Sequence, residues 1–197
     1  MSLEEAPVLV TQHPVTLQSE RAGEQTEALL CALEATGRPI VMTRPNADTR
    51  NSEILDRLER FAASRSRVRL VSNLGTEAYF SLMRHAAVMV GNSSSGIIEA
   101  ASFQLPVVNI GLRQEGRPRS GNVLDCDDSV VGIGGALERA LSVEFREHCR
   151  GVRNIYGDGC AAERIVGVLR SVVLDERLLI KRFFDCSAGL PELSSPF

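Results

Sequence analysis

Short apolar runs alternate with helix-like stretches along most of this chain, and that alternation limits the fold more than any other feature. Pro7-Val8-Leu9-Val10-Thr11, Pro39-Ile40-Val41-Met42-Thr43, Val68 to Val71, Ala87 to Val90 and Pro106 to Ile110 are largely continuous apolar runs. Strands of that kind are covered on both faces, whereas a half-exposed strand alternates. Between them, Glu24 to Thr36 keeps helical spacing through Leu29, Leu30 and Leu33, and Ser52 to Ala63 does so through Ile54, Leu55, Leu58 and Phe61. Gly37 is predicted to close the first of these helices, and Asn51 or Ser52 to cap the second. Thr76 to His85, Ser94 to Phe103, Gly135 to Leu141 and Ala161 to Leu174 read as later helices. The expectation is an α/β, Rossmann-like, doubly wound parallel sheet.

A length of 197 residues suits one domain over 1–197, with 1–6 read as tag or linker and 175–197 as a C-terminal helix and tail that frays from Ala188 onward. Lys and Arg number 22 against 25 Asp and Glu, so no overall basic field exists to hold nucleic acid or an anionic membrane. With no Trp and only two Tyr, a stacking platform for single-stranded nucleic acid is not expected either. No run approaches the ~18 apolar residues of a spanning helix, and Met1 to Glu5 lacks the basic and apolar parts of a signal peptide. The expected location is the cytoplasm. Cys31, Cys126, Cys149, Cys160 and Cys186 form no C-x-x-C pair and read as free thiols; His13, His85 and His148 share no metal-ligand spacing. No metal site is expected.

In open α/β sheets, ligands bind beyond the carboxyl ends of the strands, so the turns after the apolar runs carry the candidates. Gly91-Asn92-Ser93-Ser94-Ser95-Gly96 leads into a helix, and its small residues, hydroxyls and free helix N–H groups outline a phosphate cradle. The plainer reading is a well-capped helix, because the segment lacks the Lys of a P-loop and the G-x-G-x-x-G spacing. Glu99 lies six residues beyond Ser93, about 9 Å along a helix axis, which is about the reach from a diphosphate to its ribose. Flanked by Ile97, Ile98, Ala100 and Ala101, it reads as a partly buried carboxylate in want of donors. Arg113 reaches the same sheet edge through Gly111, and a guanidinium fork there suits a phosphate. His13 ends the first turn, Asn46 follows the second strand and Leu74 the third; by position alone, each also fits an ordinary loop residue. Gly111 to Ser129 is the longest stretch without periodicity, and a loop of that length is usually functional.

Taken together, Gln12-His13-Pro14-Val15-Thr16, Arg44-Pro45-Asn46-Ala47-Asp48, the Gly91 to Ala100 segment, Asn109 to Arg117 and Ile155-Tyr156-Gly157-Asp158-Gly159 resemble the hydrolysing UDP-N-acetylglucosamine 2-epimerases, of the sialic- and legionaminic-acid type. The likeness runs from about Val8 to Leu174 and covers the carboxyl half of such an enzyme. It implies one half of a GT-B architecture, in which two Rossmann-like domains face each other across the active site. It implies conversion of UDP-GlcNAc and water to ManNAc and UDP, by loss of the C2 proton, elimination of UDP to a 2-acetamidoglucal, and hydration. Carried over by position, Ser93 and Ser94, with Ser95 in the same cradle, hold the diphosphate and Glu99 the ribose. Arg113 meets the phosphates, Leu74 lies near uracil, and His13, the one catalytic candidate in this chain, faces the cleft with Asn46. The ligand is UDP or UDP-GlcNAc, with no cofactor. The partner is an amino-terminal Rossmann domain that brings the proton-transferring carboxylates, so this chain is expected to bind UDP without turning over alone. The family forms dimers or tetramers largely through that domain, which leaves a homo-oligomer open.

One departure bears on regulation. Ser72 and Asn73 stand where the animal enzymes carry a basic pair for feedback inhibition, so that regulation is not expected here. The Asn-Ser-Ser-Ser-Gly and Arg-Gln-Glu-Gly-Arg stretches favour the hydrolysing branch over the non-hydrolysing one. The rival readings are the nucleotide domain of a GT-B glycosyltransferase, against which the His13-Pro14 turn and the Arg113 loop argue, and a sugar-nucleotide binding module without chemistry.

Overall fold

The computed structural model describes residues 5–180. Its contacts divide the chain into two units, one ending at Tyr156 and one beginning at Gly157. The first unit carries six strands, β1 (Val8–Thr11), β2 (Ile40–Thr43), β3 (Val68–Val71), β4 (Val88–Gly91), β5 (Val107–Ile110) and β6 (Val123–Cys126). All pair in parallel, in the order β3-β2-β1-β4-β5-β6. The helices are α1 (Ala22–Glu34), α2 (Asn51–Ala63), α3 (Gly75–His85), α4 (Ser94–Ile98), α5 (Val130–Leu141) and α6 (Val143–Arg150).

The continuous apolar runs do what their pattern predicts. Val8, Val10, Val88 and Val90 point to one face and pack with Leu29 and Leu33 of α1, Ile54 and Leu58 of α2, and Ile133 and Leu137 of α5. Leu9 and Met89 point to the other face and pack with Met83 of α3 and with Ala100 and Leu105. Both faces are covered, so the domain is a doubly wound Rossmann-like α/β sheet. Its strand order reverses direction between β1 and β4, which places the natural ligand crevice at their carboxyl ends.

Gly91 lets those two strands close up at that point. It sits at φ +133°, and a Cβ there would stand 2.1 Å from the Thr11 carbonyl oxygen. Gly96 does the same for α4, since a Cβ would lie 2.9 Å from Val107 Cγ1.

Several local expectations are corrected. Neither Asn51 nor Ser52 caps α2; both lie inside it, and Arg50 precedes them in the left-handed region at φ 64° with no side-chain cap. The helix expected over Ser94 to Phe103 breaks at Glu99 into α4 and a 3-10 turn, Ala100–Phe103. The Gly111 to Ser129 stretch is not all loop, because β6 forms within it as an edge strand with only partly buried side chains. α5 begins at Val130, capped by Ser129. α6 and a 3-10 helix, Thr16–Arg21, lie where no element was expected. Gly37 does take the left-handed conformation after α1, at φ +62°.

The second unit holds α7 (Ala161–Ser171) and α8 (Glu176–Leu179). α7 has no buried residue, and Ile165, Val168 and Leu169 are exposed along one side of it. The expected helix over 175–186 is seen only as α8; residues 181–197, with Cys186 and the tail, lie outside the described residues. Cys31, Cys126, Cys149 and Cys160 are free thiols. Among the described residues no helix is long and apolar enough to cross a membrane.

Candidate functional site

Four strand ends meet around one cavity of about 590 Å³. Thr11 ends β1, Thr43 ends β2, Leu74 follows β3, and Ser93, Ser95 and Glu99 follow β4; all line it, with Arg44 and with Tyr79 of α3. Of the sequence candidates, Leu74, Ser93, Ser95 and Glu99 are therefore brought together. Leu74 occupies the position before the first turn of α3. Ser93 caps α4, its Oγ accepting from the Ser95 N–H at 3.4 Å. Ser94 is the first residue of α4, half-buried, and its hydroxyl has no protein partner among the described residues.

The serine hydroxyls belong to a longer chain of hydrogen bonds. Thr43 donates to Thr11 Oγ1 at 3.0 Å, Thr11 shares a bond with Tyr79 Oη at 3.1 Å, Tyr79 with Ser95 Oγ at 2.9 Å, and Ser95 with Ser93 Oγ at 2.8 Å. Each hydroxyl can rotate, so the chain fixes where oxygen atoms sit and leaves the direction of donation to what arrives.

Glu99 lies at the break between α4 and the 3-10 turn, which turns its side chain toward the cavity instead of along a continuing helix. Its Oε2 is buried and has no hydrogen-bond partner. Burial pushes the carboxyl above its ordinary pKa, opposed by a backbone hydrogen bond. Oxygens of Gln12, Asn46 and Gln114 at the same end of the sheet are likewise buried without donors. Buried acceptors are ordinarily satisfied, so these oxygens are acceptors that the donors of a ligand could meet.

His13, Asn46 and Arg113 are not among the residues lining this cavity; they gather around Asn92, the residue before Ser93. Asn92 is 1% exposed. The His13 N–H donates to Asn92 Oδ1 at 2.8 Å, and Asn92 Nδ2 donates back to the His13 carbonyl at 2.8 Å. The Asn92 carbonyl accepts from Arg113 Nη1 at 3.2 Å and from Gln114 Nε2 at 2.8 Å. The backbone N–H of Asn46 donates to His13 Nδ1 at 3.1 Å, and its side-chain Nδ2 donates to Asp48 Oδ2 at 2.7 Å. Arg113 Nη2 lies 3.9 Å from that same Asp48 oxygen. Burial first, and the Arg113 charge second, lower the His13 pKa to about 4 against an opposing pull from Asp48. The ring is therefore neutral at pH 7.

Not every arginine of the loop after β5 serves this edge. Arg119 ties the loop together, donating to Asp125 at 2.9 Å and to the carbonyl of Gln114 at 3.3 Å. Two of the thiols are poor nucleophiles: burial and three aspartates push Cys126 up to about 12, and burial pushes Cys149 to about 11. Among the described residues no group of three or more His, Cys, Asp or Glu could hold a metal ion.

Asn92, Tyr79, Thr11, Thr43 and Gln114 were not singled out from the sequence. Asn92 had a signal, as the amide that follows Gly91 at a strand end; Tyr79 had none, because only the fold of α3 over β1 brings it to Ser95. Hydroxyls, the start of a helix, the Arg44 guanidinium and an unpartnered carboxylate around one cavity suit a ligand with an anionic part and a polyol part.

Comparison with known proteins gives the chain's family. The family model described as UDP-N-acetylglucosamine 2-epimerase matches residues 2–170. The chain is 35% identical over 173 residues to the UDP-N,N'-diacetylbacillosamine 2-epimerase (hydrolyzing) of Legionella pneumophila, a match covering 88% of this chain and 45% of that protein. It is 35% identical over 188 residues to the GDP/UDP-N,N'-diacetylbacillosamine 2-epimerase (hydrolyzing) of Campylobacter jejuni, covering 94% and 48%. The chain thus spans about half the length of these curated relatives. In fold it is similar to S. aureus MnaA, solved with UDP, at a TM-score of 0.66 and 20% identity over 85% of this chain and 45% of that one.

Proposed function

This chain belongs to the UDP-N-acetylglucosamine 2-epimerase family, and from that premise we propose that it is the UDP-binding, carboxyl-terminal half of a hydrolysing 2-epimerase. The observation that carries the reading is Glu99: a buried carboxylate oxygen without a donor, in the same cavity as Leu74, Ser93 and Ser95. A ribose supplies two adjacent hydroxyls to such a group. Uracil then lies toward Leu74, and the diphosphate lies along Ser93, Ser94, Ser95 and the start of α4, with Arg113, Asn46 and His13 beside it.

The reaction is UDP-GlcNAc and water to ManNAc and UDP. A proton leaves C2, the C1–O bond to UDP breaks, and water then adds across the resulting 2-acetamidoglucal with C2 inverted. UDP departs with charge building on its phosphate oxygen, so donors already aimed there lower the barrier. That is the contribution of this half. The carboxylates that exchange the C2 proton belong to the amino-terminal Rossmann-like domain of the GT-B pair, and the scheme calls for no cofactor.

The test is to supply the other half, fused or as a second polypeptide, and to offer UDP-GlcNAc and UDP-N,N'-diacetylbacillosamine in heavy water. The reading predicts UDP release with the C2-inverted sugar carrying one deuterium at C2, and no turnover by this chain alone. Release of an uninverted sugar without deuterium would point to simple hydrolysis and contradict it.

A further inference from the structure

The helix that leads to Glu99 breaks at that residue, and the break is held by Asn154, 56 residues beyond Ile98. In a continuing α-helix the Ser102 N–H would donate to the Ile98 carbonyl, four residues back. It donates instead to the Glu99 carbonyl at 2.9 Å, the spacing of a 3-10 turn. A donor from outside the helix takes its place. Asn154 Nδ2 donates to the Ile98 carbonyl at 2.8 Å and to Ser102 Oγ at 2.8 Å, so one amide holds both sides of the break. The other end of that amide, Oδ1, accepts from the Tyr156 N–H at 2.9 Å. A carbonyl can only accept and a backbone N–H can only donate, so both ends agree on which way the amide points, and an ionised aspartate could serve only the second. The segment is anchored in turn to the loop between β5 and β6 that carries Arg113: the Ile155 N–H donates to Ser120 Oγ at 3.2 Å, and Tyr156 Oη donates to the Pro118 carbonyl at 2.9 Å.

We propose that Asn154 is a positioning residue for nucleotide recognition: it holds the break that directs the Glu99 carboxylate into the cavity, and so governs the preference for a ribose without touching the ligand. The inference rests on the UDP reading above and deepens it, because it gives the ribose subsite a determinant that does not line the cavity. A backbone carbonyl that loses its donor recruits another. For Ile98 the nearest replacement is the Ser102 N–H, and that bond would run the α-helix on through Glu99 and shift its carboxylate from the ribose.

The experiment is calorimetric titration of the full chain with UDP and with 2′,3′-dideoxy-UDP, which lacks both ribose hydroxyls. The wild type is expected to prefer UDP by at least about tenfold, the worth of a hydrogen bond to a carboxylate. Asn154→Ala is expected to bring that preference below about threefold, while the dideoxy ligand binds within about twofold of its wild-type affinity. Asn154→Asp keeps the size and the bond to Tyr156 but loses the donor, and is expected to match the alanine variant. It carries the test if urea denaturation finds Asn154→Ala unfolded. In a Glu99→Gln background neither substitution is expected to change the preference further. A preference unchanged in both variants, or a loss of affinity by the same factor for both ligands, overturns the proposal while the UDP reading stands. A wild type that binds UDP without preferring it over the dideoxy ligand removes the ribose contact of Glu99 and the proposal with it. No binding of UDP by the wild type removes the UDP reading and the positioning role together.

Discussion

Glu99 and His13 are both moved by burial toward their neutral forms, but the consequences for pH run in opposite directions. The His13 pKa is about 4 in the folded chain against 6.5 for the free side chain. Between those values the unfolded state binds more protons, so this residue's contribution to stability is present above pH 6.5 and is lost as pH falls toward 4. Glu99 is raised, so its contribution is present at acid pH and is lost as pH rises through its folded pKa. The two oppose each other in the wild type, and single variants separate them. His13→Gln should flatten the fall in urea midpoint between pH 6.5 and 4, which denaturation at four or five pH values would read. For binding, ribose hydroxyls favour the carboxylate form of Glu99, so UDP affinity should rise with pH through the acid range, and Glu99→Gln should remove that dependence. Arg113→Ala removes a charge-assisted contact worth about 1.5–3 kcal/mol and should weaken UDP roughly 10- to 100-fold. Tyr79→Phe breaks the hydroxyl chain at its middle and should cost about 1 kcal/mol, or roughly fivefold in UDP affinity, with uridine binding unchanged. Most residues of this strand-end edge were legible from their position after a strand. Asn92 and Tyr79 were not, because their roles depend on partners 79 and 16 residues away.

At the scale of elements, the pair β1 and β4 carries the site, and Gly91 is what allows their approach. Gly91→Ala would set a methyl against the Thr11 carbonyl and would force a left-handed φ on alanine. The expected cost is at least about 2 kcal/mol in urea unfolding, together with loss of UDP binding, since Asn92 and Ser93 follow directly. Four of the six strands, β1, β2, β4 and β5, were legible because they are buried on both faces and read as largely apolar runs, and β3 was legible from Val68, Leu70 and Val71 although it is an edge strand with Arg69 exposed. β6 was not, because at the sheet edge its side chains are only partly buried and Asp125 interrupts the apolar pattern. α6 was missed for a related reason: it buries only Phe145 and Cys149, one turn apart, which is too little periodicity to stand out from a polar stretch. The cap of α2 failed for a different one, since Arg50 takes the left-handed conformation and the helix starts after it.

The whole molecule is about half the length of the relatives it matches, and its best-built edge faces outward from the carboxyl ends of its strands. In the proposed reading the nucleotide sits on this half and the proton transfers belong to the other. Binding and turnover should therefore come apart: this chain alone should bind UDP and leave UDP-GlcNAc intact. The parallel sheet and the strand-end candidates were legible in the sequence alone, while the acid–base groups of the proposed reaction are expected on the other half. The most direct measurement is calorimetric titration of the chain with UDP, beside CMP and beside Arg113→Ala and Glu99→Gln. The account predicts saturable, one-to-one UDP binding that both substitutions weaken and that CMP does not reproduce. A folded chain that gives no heat with UDP up to millimolar concentration, or that binds UDP equally well with Arg113 and Glu99 replaced, would contradict it.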